Sequence, residues 1–160
     1  MKSKRKGICL VLAMMLILGM AGSTALAEQR PGSVISTEVR MDFNRLINVE
    51  YEKVISSTLS LYAAPYFGLG LGLTLMGARA GGKYYLQGTA PEGLWIGGFG
   101  LVEYWSLFGL VSGIDFGGGA NAGYKYFITD MFTVEGNAGV AYWVGYGFGL
   151  TWGVNVGMAL

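Results

Sequence analysis

The sequence predicts an all-β fold, a closed antiparallel up-and-down barrel of eight strands. Residues 148–160, FGLTWGVNVGMAL, alternate without interruption between large apolar residues and small or weakly polar ones. A period of two is the pattern of a β-strand with two unlike faces. Residues 28–160 also hold 25 of the 28 glycines, which disfavour helices, and every Trp, Tyr and Phe, which favour strands. Finally, the charged residues of most predicted strands lie on one face.

Residues 1–27 are predicted to be a secretory signal peptide that is removed after Sec-type export, which leaves residues 28–160 as the barrel domain. Four basic residues precede an apolar run from Ile8 to Gly22, and Ala25-Leu26-Ala27 supplies small residues before the cleavage position. The alternative is a membrane anchor. The run is shorter than the ~20 apolar residues that a spanning helix needs, so the signal peptide is preferred.

The composition of residues 28–160 argues against nucleic-acid binding and against cysteine chemistry. Residues 28–160 carry seven basic and ten acidic residues, so removal of the signal peptide changes the net charge from +1 to −3. This balance gives no basic patch for nucleic acid. The single cysteine, Cys9, lies in the signal peptide, so disulfides and thiol chemistry are not expected in the barrel.

Eight strand-like runs follow the signal peptide. They are placed at 33–43, 46–55, 57–67, 73–87, 94–105, 113–128, 132–146 and 148–160. The connections are the short stretches NR, SS, LGLG, GTAPEG, residues 107–112, TDM and a tight turn near Gly147. Successive short connections predict an antiparallel meander.

The first four strands are justified by where their charges fall. In the first strand, Glu38, Arg40 and Asp42 share one face, opposite Ile35, Thr37, Val39, Met41 and Phe43. In the second, Glu50 and Glu52 share a face with Asn48, opposite Ile47, Val49 and Tyr51. The third is bounded by the SS and LGLG connections. In the fourth, Arg79 and Lys83 are an even number of residues apart and therefore share a face.

The last four strands follow the same rule with one exception. In the sixth strand, Asp115 and Lys125 share a parity, with Gly117, Gly119, Asn121 and Gly123 between them. In the seventh, Glu135 lies with Thr133 and Asn137, opposite Phe132, Val134, Val140, Tyr142 and Val144. The eighth is the alternating stretch 148–160. The fifth is the exception, because Glu103 shares its parity with Trp95, Phe99 and Leu101, and its register stays open.

The residue types on the two faces predict a transmembrane β-barrel. The face without large apolar residues is mostly Gly, Ala, Asn and Thr with scattered charges of both signs, which is a poor solvent surface. It suits a narrow lumen in which long charged side chains pair. The apolar face then points outward, where only lipid tolerates it.

Aromatic spacing agrees with a membrane of ordinary thickness. Phe132 and Tyr142 are ten residues apart on the apolar face, which corresponds to roughly 24 Å along the membrane normal at ~45° tilt. The apolar band of such barrels is about 25 Å tall and has an aromatic girdle at each rim. The predicted girdle residues are Tyr84, Trp95, Tyr124, Tyr126 and Phe132 at one rim, and Phe67, Tyr104, Tyr142, Tyr146 and Phe148 at the other.

Three stretches resemble a family of small bacterial outer-membrane barrels of unknown function. They are NVEYEKVISSTLSLYAAPYFG, GGKYYLQGTAPEGLWIGG and GYKYFITDMFTVEGNAGVAY. More broadly, the chain resembles the eight-stranded OmpA/OmpX-like barrels. The resemblance implies an outer-membrane location in a diderm bacterium, with both termini on the periplasmic side. One departure is Leu160, since such barrels usually finish on an aromatic residue that the assembly machinery reads.

Little in the sequence indicates catalysis. There is no histidine, which excludes a Ser-His-Asp triad, a Cys-His pair and a His-based metal site. The glycine-rich stretches GLGLGL and DFGGGANAG lack the helix and the Gly-Lys-Ser/Thr ending of a phosphate loop. We therefore expect no enzyme, cofactor or metal.

The carboxylates allow two interpretations. Paired carboxylates on one face can do acid/base work or bind a cation. The preferred interpretation is a structural lumen network in which acids and bases pair, because buried charges require partners. Its predicted members are Glu38, Arg40, Asp42, Glu50, Glu52, Arg79, Lys83, Asp115, Lys125 and Glu135.

The expected function is that of a small integral outer-membrane protein, non-enzymatic and monomeric, with a structural or surface-interaction role. Its expected partners are outer-membrane lipid and, during biogenesis, the barrel assembly machinery. The alternatives are a periplasmic barrel that binds a small apolar ligand, which requires the faces to be inverted, and a narrow ion-conducting pore. An interior of eight strands is filled by side chains, which disfavours a wide pore.

Overall fold

The computed structural model describes residues 32–39 and 45–160. The predicted signal peptide, Arg40 and Asp42 lie outside these described residues. The strands are β1 (Ser33–Val39), β2 (Arg45–Val54), β3 (Leu59–Gly70), β4 (Leu73–Thr89), β5 (Glu92–Leu107), β6 (Val111–Phe127), β7 (Phe132–Trp143) and β8 (Gly147–Ala159). Within these residues, no helix is long and apolar enough to cross a membrane.

The eight strands form one closed sheet. Each strand pairs antiparallel with the next along the chain, and β1 also pairs with β8 in the register Val34↔Ala159 to Val39↔Val154. The predicted all-β, up-and-down, eight-stranded barrel is therefore confirmed. We call the end with turns 55–58, 90–91 and 128–131 the terminal rim, and the end with turns 71–72, 108–110 and 144–146 the loop rim.

Three connections between strands are shorter than predicted or lie at other residues. The predicted LGLG turn is wrong in extent, because β3 continues to Gly70 and only Leu71 and Gly72 form the turn. Both turn residues have positive φ, 44° and 80°, as a two-residue type I′ hairpin requires. Similarly, the β4–β5 ladder continues to Thr89↔Glu92, which reduces GTAPEG to a two-residue turn. At the other rim, β7 ends at Trp143 instead of residue 146, because residues 144–146 form a turn.

The strand ends are staggered around the barrel. At the loop rim, β6 pairs with the end of β7 at Gly117↔Trp143, so residues 111–116 extend beyond it. At the terminal rim, β4 extends past Leu59↔Tyr84, the first pair with β3. Tilted strands with a shifted register are what closure of a barrel requires.

Inward and outward side chains alternate along the strands, except at the irregularity between Tyr85 and Gln87 of β4. The exposed outward face is apolar and includes Ile47, Val49, Leu61, Met76, Ile96, Val102, Ile114, Val140, Leu150, Val154 and Val156. The inward face contains the buried charges. Glu52, Lys83, Lys125 and Glu135 are at most 1% exposed, so the lumen is filled with paired polar side chains near the terminal rim.

Candidate functional site in the barrel lumen

Lys83 on β4 is the centre of a buried ion-pair network. Its Nζ lies 2.7 Å from Glu50 Oε1, 3.0 Å from Glu52 Oε2 and 2.9 Å from Glu135 Oε2. The two glutamates of β2 are two residues apart and therefore share the inward face. Glu135 reaches the same ammonium from β7 on another part of the wall. One lysine thus links three strands across the lumen.

Lys125 on β6 is the second cation of this network. Its ammonium donates to Glu52 and lies 3.0 Å from Glu135 Oε2. The remaining capacity of the Glu52 carboxylate is used by two hydroxyls, since Tyr85 donates at 2.7 Å and Ser60 at 2.5 Å. A carboxylate with this many donors is fixed in position by the charge-assisted hydrogen bonds around it.

Arg79 lies on the inward face of β4, four residues from Lys83 and closer to the loop rim. Its Nη2 donates to Glu38 Oε2 at 2.6 Å and lies 3.7 Å from Glu50 Oε2. Asn48 Nδ2 also donates to Glu38 Oε2, at 2.7 Å. Glu50 therefore bridges the Arg79 pair and the Lys83 cluster, which makes a continuous chain of charges along the barrel axis.

The network can hold charge and fix the shape of the wall, but it offers no open metal site. Glu50, Glu52 and Glu135 could each present an oxygen within 4.8 Å of the others, as metal ligands do. The Lys83 ammonium bonds to all three carboxylates, so it already supplies the positive charge that a metal ion would bring. Within the described residues, four carboxylates meet three cations in the network.

Asp115 is not part of this network. It is buried on β6, but its carboxylate accepts the backbone N–H groups of Phe116, at 2.8 Å, and Gly145, at 3.0 Å. These bonds fasten the turn after β7 to β6. Of the ten predicted network residues, the structure brings together Glu38, Glu50, Glu52, Arg79, Lys83, Lys125 and Glu135, and Arg40 and Asp42 are outside the described residues.

Trp95 corrects one of the predicted girdle positions. It is fully buried in the lumen, where its ring centroid lies 4.8 Å from Lys83 Nζ. The ring lies against its cross-strand neighbour Gly123, where an added Cβ would be 2.6 Å from Trp95 Cζ2. The physical reason is that Gly123 and Gly97 leave an inward slot wide enough for an indole. Trp95 belongs to the lumen and not to the girdle.

The register of β5 follows from the same observation. Trp95 pairs with buried Tyr85, and Glu103 of the same parity pairs with inward Asp115. The outward residues of β5 are then Leu94, Ile96, Val102 and Tyr104, which are 38–47% exposed. Glu103 and three large apolar residues therefore lie together on the inward face of β5. On this part of the lumen wall, aromatic and aliphatic side chains take the place of charged ones.

The other nine predicted girdle residues are at the surface. Tyr84, Tyr126 and Phe132 are half exposed toward the terminal rim, and Tyr124 lies beside them with partial exposure. Phe67, Tyr104, Tyr142 and Phe148 face outward toward the loop rim, where the last two rings are 5.0 Å apart. Tyr146 is in the turn between β7 and β8 and contacts Trp105. Phe116 and Trp152, which were not predicted as girdle residues, are also exposed outward.

Several lumen residues escaped the sequence analysis. Tyr85 and Ser60 bond to Glu52, Asn155 donates to Glu135 at 3.0 Å, and the Tyr66 hydroxyl donates to Glu103 at 3.0 Å. Parity was the available signal, because Tyr85 is two residues from Lys83 on the same face. The predicted network was restricted to charged residues, and Tyr85, Ser60, Asn155 and Tyr66 are neutral.

A cavity of about 60 Å³ lies on the loop-rim side of the network. It is lined by Glu38, Asn48, Tyr66, Arg79, Phe99, Leu101, Glu103, Trp143 and Thr151. Three polar atoms on its wall, Asn48 Oδ1, Arg79 Nε and Thr151 Oγ1, are buried without a hydrogen-bond partner. Side chains leave space in this part of the described lumen.

Comparison with known proteins supports the fold. No family model matches the chain, and no curated protein matches it. Among solved structures, the N-terminal β-barrel domain of Pseudomonas aeruginosa OprF is similar, with a TM-score of 0.61 and 19% sequence identity. The alignment covers 82% of this chain and 100% of that domain. The chain therefore has the eight-stranded barrel fold of the OprF domain, as its resemblance to OmpA-like barrels predicted.

Proposed function

We propose that this chain is a small integral protein of the outer membrane of a diderm bacterium, exported by a signal peptide, with a non-enzymatic structural or surface-interaction role. The observation that carries the proposal is the separation of the two faces. Exposed apolar side chains cover the outside, and charged side chains that are at most 9% exposed lie inside the lumen. A soluble barrel has the opposite arrangement, because its exposed face must be hydrated.

Three further features support the membrane location. Eight of the predicted girdle residues face outward toward the two rims, where amphipathic rings meet the membrane interface. Each described strand pairs with two neighbours in a closed sheet, so the backbone polar groups of the paired segments are satisfied without water. The similarity in fold to the OprF barrel domain is consistent with the same environment. Outer-membrane lipid and the barrel assembly machinery are the partners that this proposal requires, and a monomer is sufficient for it.

The non-enzymatic role is supported by the chemistry of the lumen. The chain has no histidine, and the carboxylates of the network are occupied by cations and hydroxyl donors. A general acid or base needs contact with a substrate proton. Carboxylates that are fully buried and bonded on all sides, such as Glu52, do not offer that contact.

The deciding experiment combines gel mobility with cell fractionation. Residues 28–160 folded in detergent should migrate faster without boiling than after boiling, and the full chain in its host should be recovered in the outer-membrane fraction. Recovery as a soluble periplasmic protein, with no heat-dependent change in mobility, would contradict the proposal and favour the ligand-binding periplasmic barrel.

A further inference from the structure

The lumen changes character between its two halves. Near the terminal rim, inward positions are charged and at most 1% exposed, as for Lys83 and Lys125. Toward the loop rim, the inward residues Phe99, Leu101, Trp105 and Trp143 are partly exposed, and Leu107 and Val111 are 43% and 58% exposed. The described lumen therefore opens toward the loop rim, and the 60 Å³ cavity lies between this opening and the ion-pair network.

The wall of the cavity combines aromatic rings with two acidic groups and one cation, because Glu38 and its ion-pair partner Arg79 line it together with Glu103. Tyr66, Phe99 and Trp143 contribute rings, Leu101 an aliphatic side chain, and Glu103 a half-buried carboxylate. Glu103 accepts one hydrogen bond, from Tyr66, and makes no ion pair with a cation of the described residues. A carboxylate has capacity for further donors. Aromatic faces beside a carboxylate are the surroundings that attract an organic cation.

Two more observations indicate a guest that carries N–H groups. Asn48 lines the cavity and is 4% exposed, and its Oδ1 accepts no hydrogen bond. Glu103 lies directly opposite Asp115 in the β5–β6 register, and like charges opposite one another on neighbouring strands destabilise a sheet. A cation at Glu103 would relieve that repulsion and give Asn48 Oδ1 its donor.

We propose that this cavity is a binding site for a small organic ammonium ion that enters from the loop rim. The ammonium group donates to the Glu103 carboxylate and to Asn48 Oδ1, and its alkyl part contacts Phe99, Leu101 and Trp143. The volume has room for several water molecules at ~10 to 15 Å³ each. A short alkylammonium therefore fits after displacing water, whereas a long or branched one does not.

The test is an NMR titration of residues 28–160 folded in detergent micelles, with ethylammonium as the probe and ethanol as a neutral probe of similar size. We expect ethylammonium to shift the indole N–H signal of Trp143 saturably, with a Kd of about 1 mM or weaker given so few ligand atoms. Ethanol should give no saturable shift. Equal shifts with both probes would overturn the proposal, because they would indicate an apolar cavity alone.

Two additional arms identify the recognising group. Glu103→Gln should weaken ethylammonium binding at least tenfold, whereas Asp130→Asn, which removes an exposed acid in a terminal-rim turn, should leave it unchanged. Unaltered binding by E103Q would overturn the proposal, as would complete competition by equimolar K⁺, which would indicate an inorganic cation site. The comparison of ethylammonium with ethanol uses the unaltered chain and remains decisive if E103Q does not fold.

Discussion

At the scale of single residues, Arg79 shows how the lumen tolerates charge. Its side chain is 9% exposed, and Nη2 contacts Glu38 at 2.6 Å while Glu50 is 3.7 Å away. Desolvation of an ion is costly, and the cost is offset only while the partner and the surrounding donors are in place. The loss of one member therefore leaves the other buried and charged without this ion pair.

Neutralising Arg79 alone should be more damaging than neutralising the pair. We expect Arg79→Met to lower the free energy of unfolding by about 3 to 5 kcal/mol. Glu38→Gln combined with Arg79→Met should lose less than Arg79→Met alone, and therefore less than the sum of the single variants. Urea unfolding in lipid vesicles measures each value. Lys53→Met, at an exposed outward position, is the control and should change stability by less than about 0.5 kcal/mol. Additive losses would contradict the pairing.

The contact between Trp95 and Gly123 gives a second prediction. A Cβ at position 123 would lie 2.6 Å from both the Trp95 ring and the Gly136 carbonyl oxygen, so Gly123→Ala should destabilise the barrel by about 1 to 3 kcal/mol through overpacking. Gly98→Ala is the matched control, because its nearest atom would be 3.6 Å away. The same urea titration separates them, and equal stability of the two variants would show that Trp95 lies elsewhere.

At the scale of elements, the parity of charges predicted most of the fold. One-residue alternation assigns inward and outward faces without any tertiary information, so the faces of β2, β4 and β7 could be predicted from Glu50, Lys83 and Glu135. Alternation fails where both faces hold large apolar residues, as in β5 with Trp95. Alternation also does not predict how far neighbouring strands are shifted relative to one another. That shift determines which charges lie at the same height in the lumen, and so whether Lys83 reaches Glu135. Ion-pair partners therefore needed the structure.

The outward face of β8 provides a depth-dependent prediction. Val154 is 43% exposed near the middle of the strand, whereas Met158 is one residue from its end. Val154→Arg should reduce the free energy of unfolding by about 2 to 4 kcal/mol, and Met158→Arg by about 0 to 1 kcal/mol, because an arginine is costly at the bilayer midplane and tolerated at the interface. Equal tolerance of both, in unfolding from vesicles, would mean that β8 does not face lipid.

At the scale of the whole molecule, the filled lumen argues against conduction. Tyr85, Trp95, Lys83 and Lys125 are 0–2% exposed and occupy the terminal-rim half together. The barrel is thus a packed cylinder with a shallow opening at one end. Water and ions would need a rearrangement of several ion pairs at once to pass.

Planar-bilayer recordings should therefore show no steady conductance steps for the folded chain. A wide porin reconstituted in the same membranes serves as the positive control for insertion and detection. Discrete, reproducible steps that disappear with Lys83→Met would instead support the narrow pore.

The pairing of β1 with β8 has a consequence for the order of folding. Residues 34–39 of β1 pair with residues 154–159 of β8, and these partners are more than a hundred residues apart in the chain. Such distant pairing is slow, because the entropy cost of closing the long loop comes before the contacts that offset it. Glu38 and Asn155 become neighbours only at this step. The seven pairs of consecutive strands are adjacent in the chain, so only the closure of the barrel depends on both of its ends. Until β8 is available, β1 lacks one of its two strand partners.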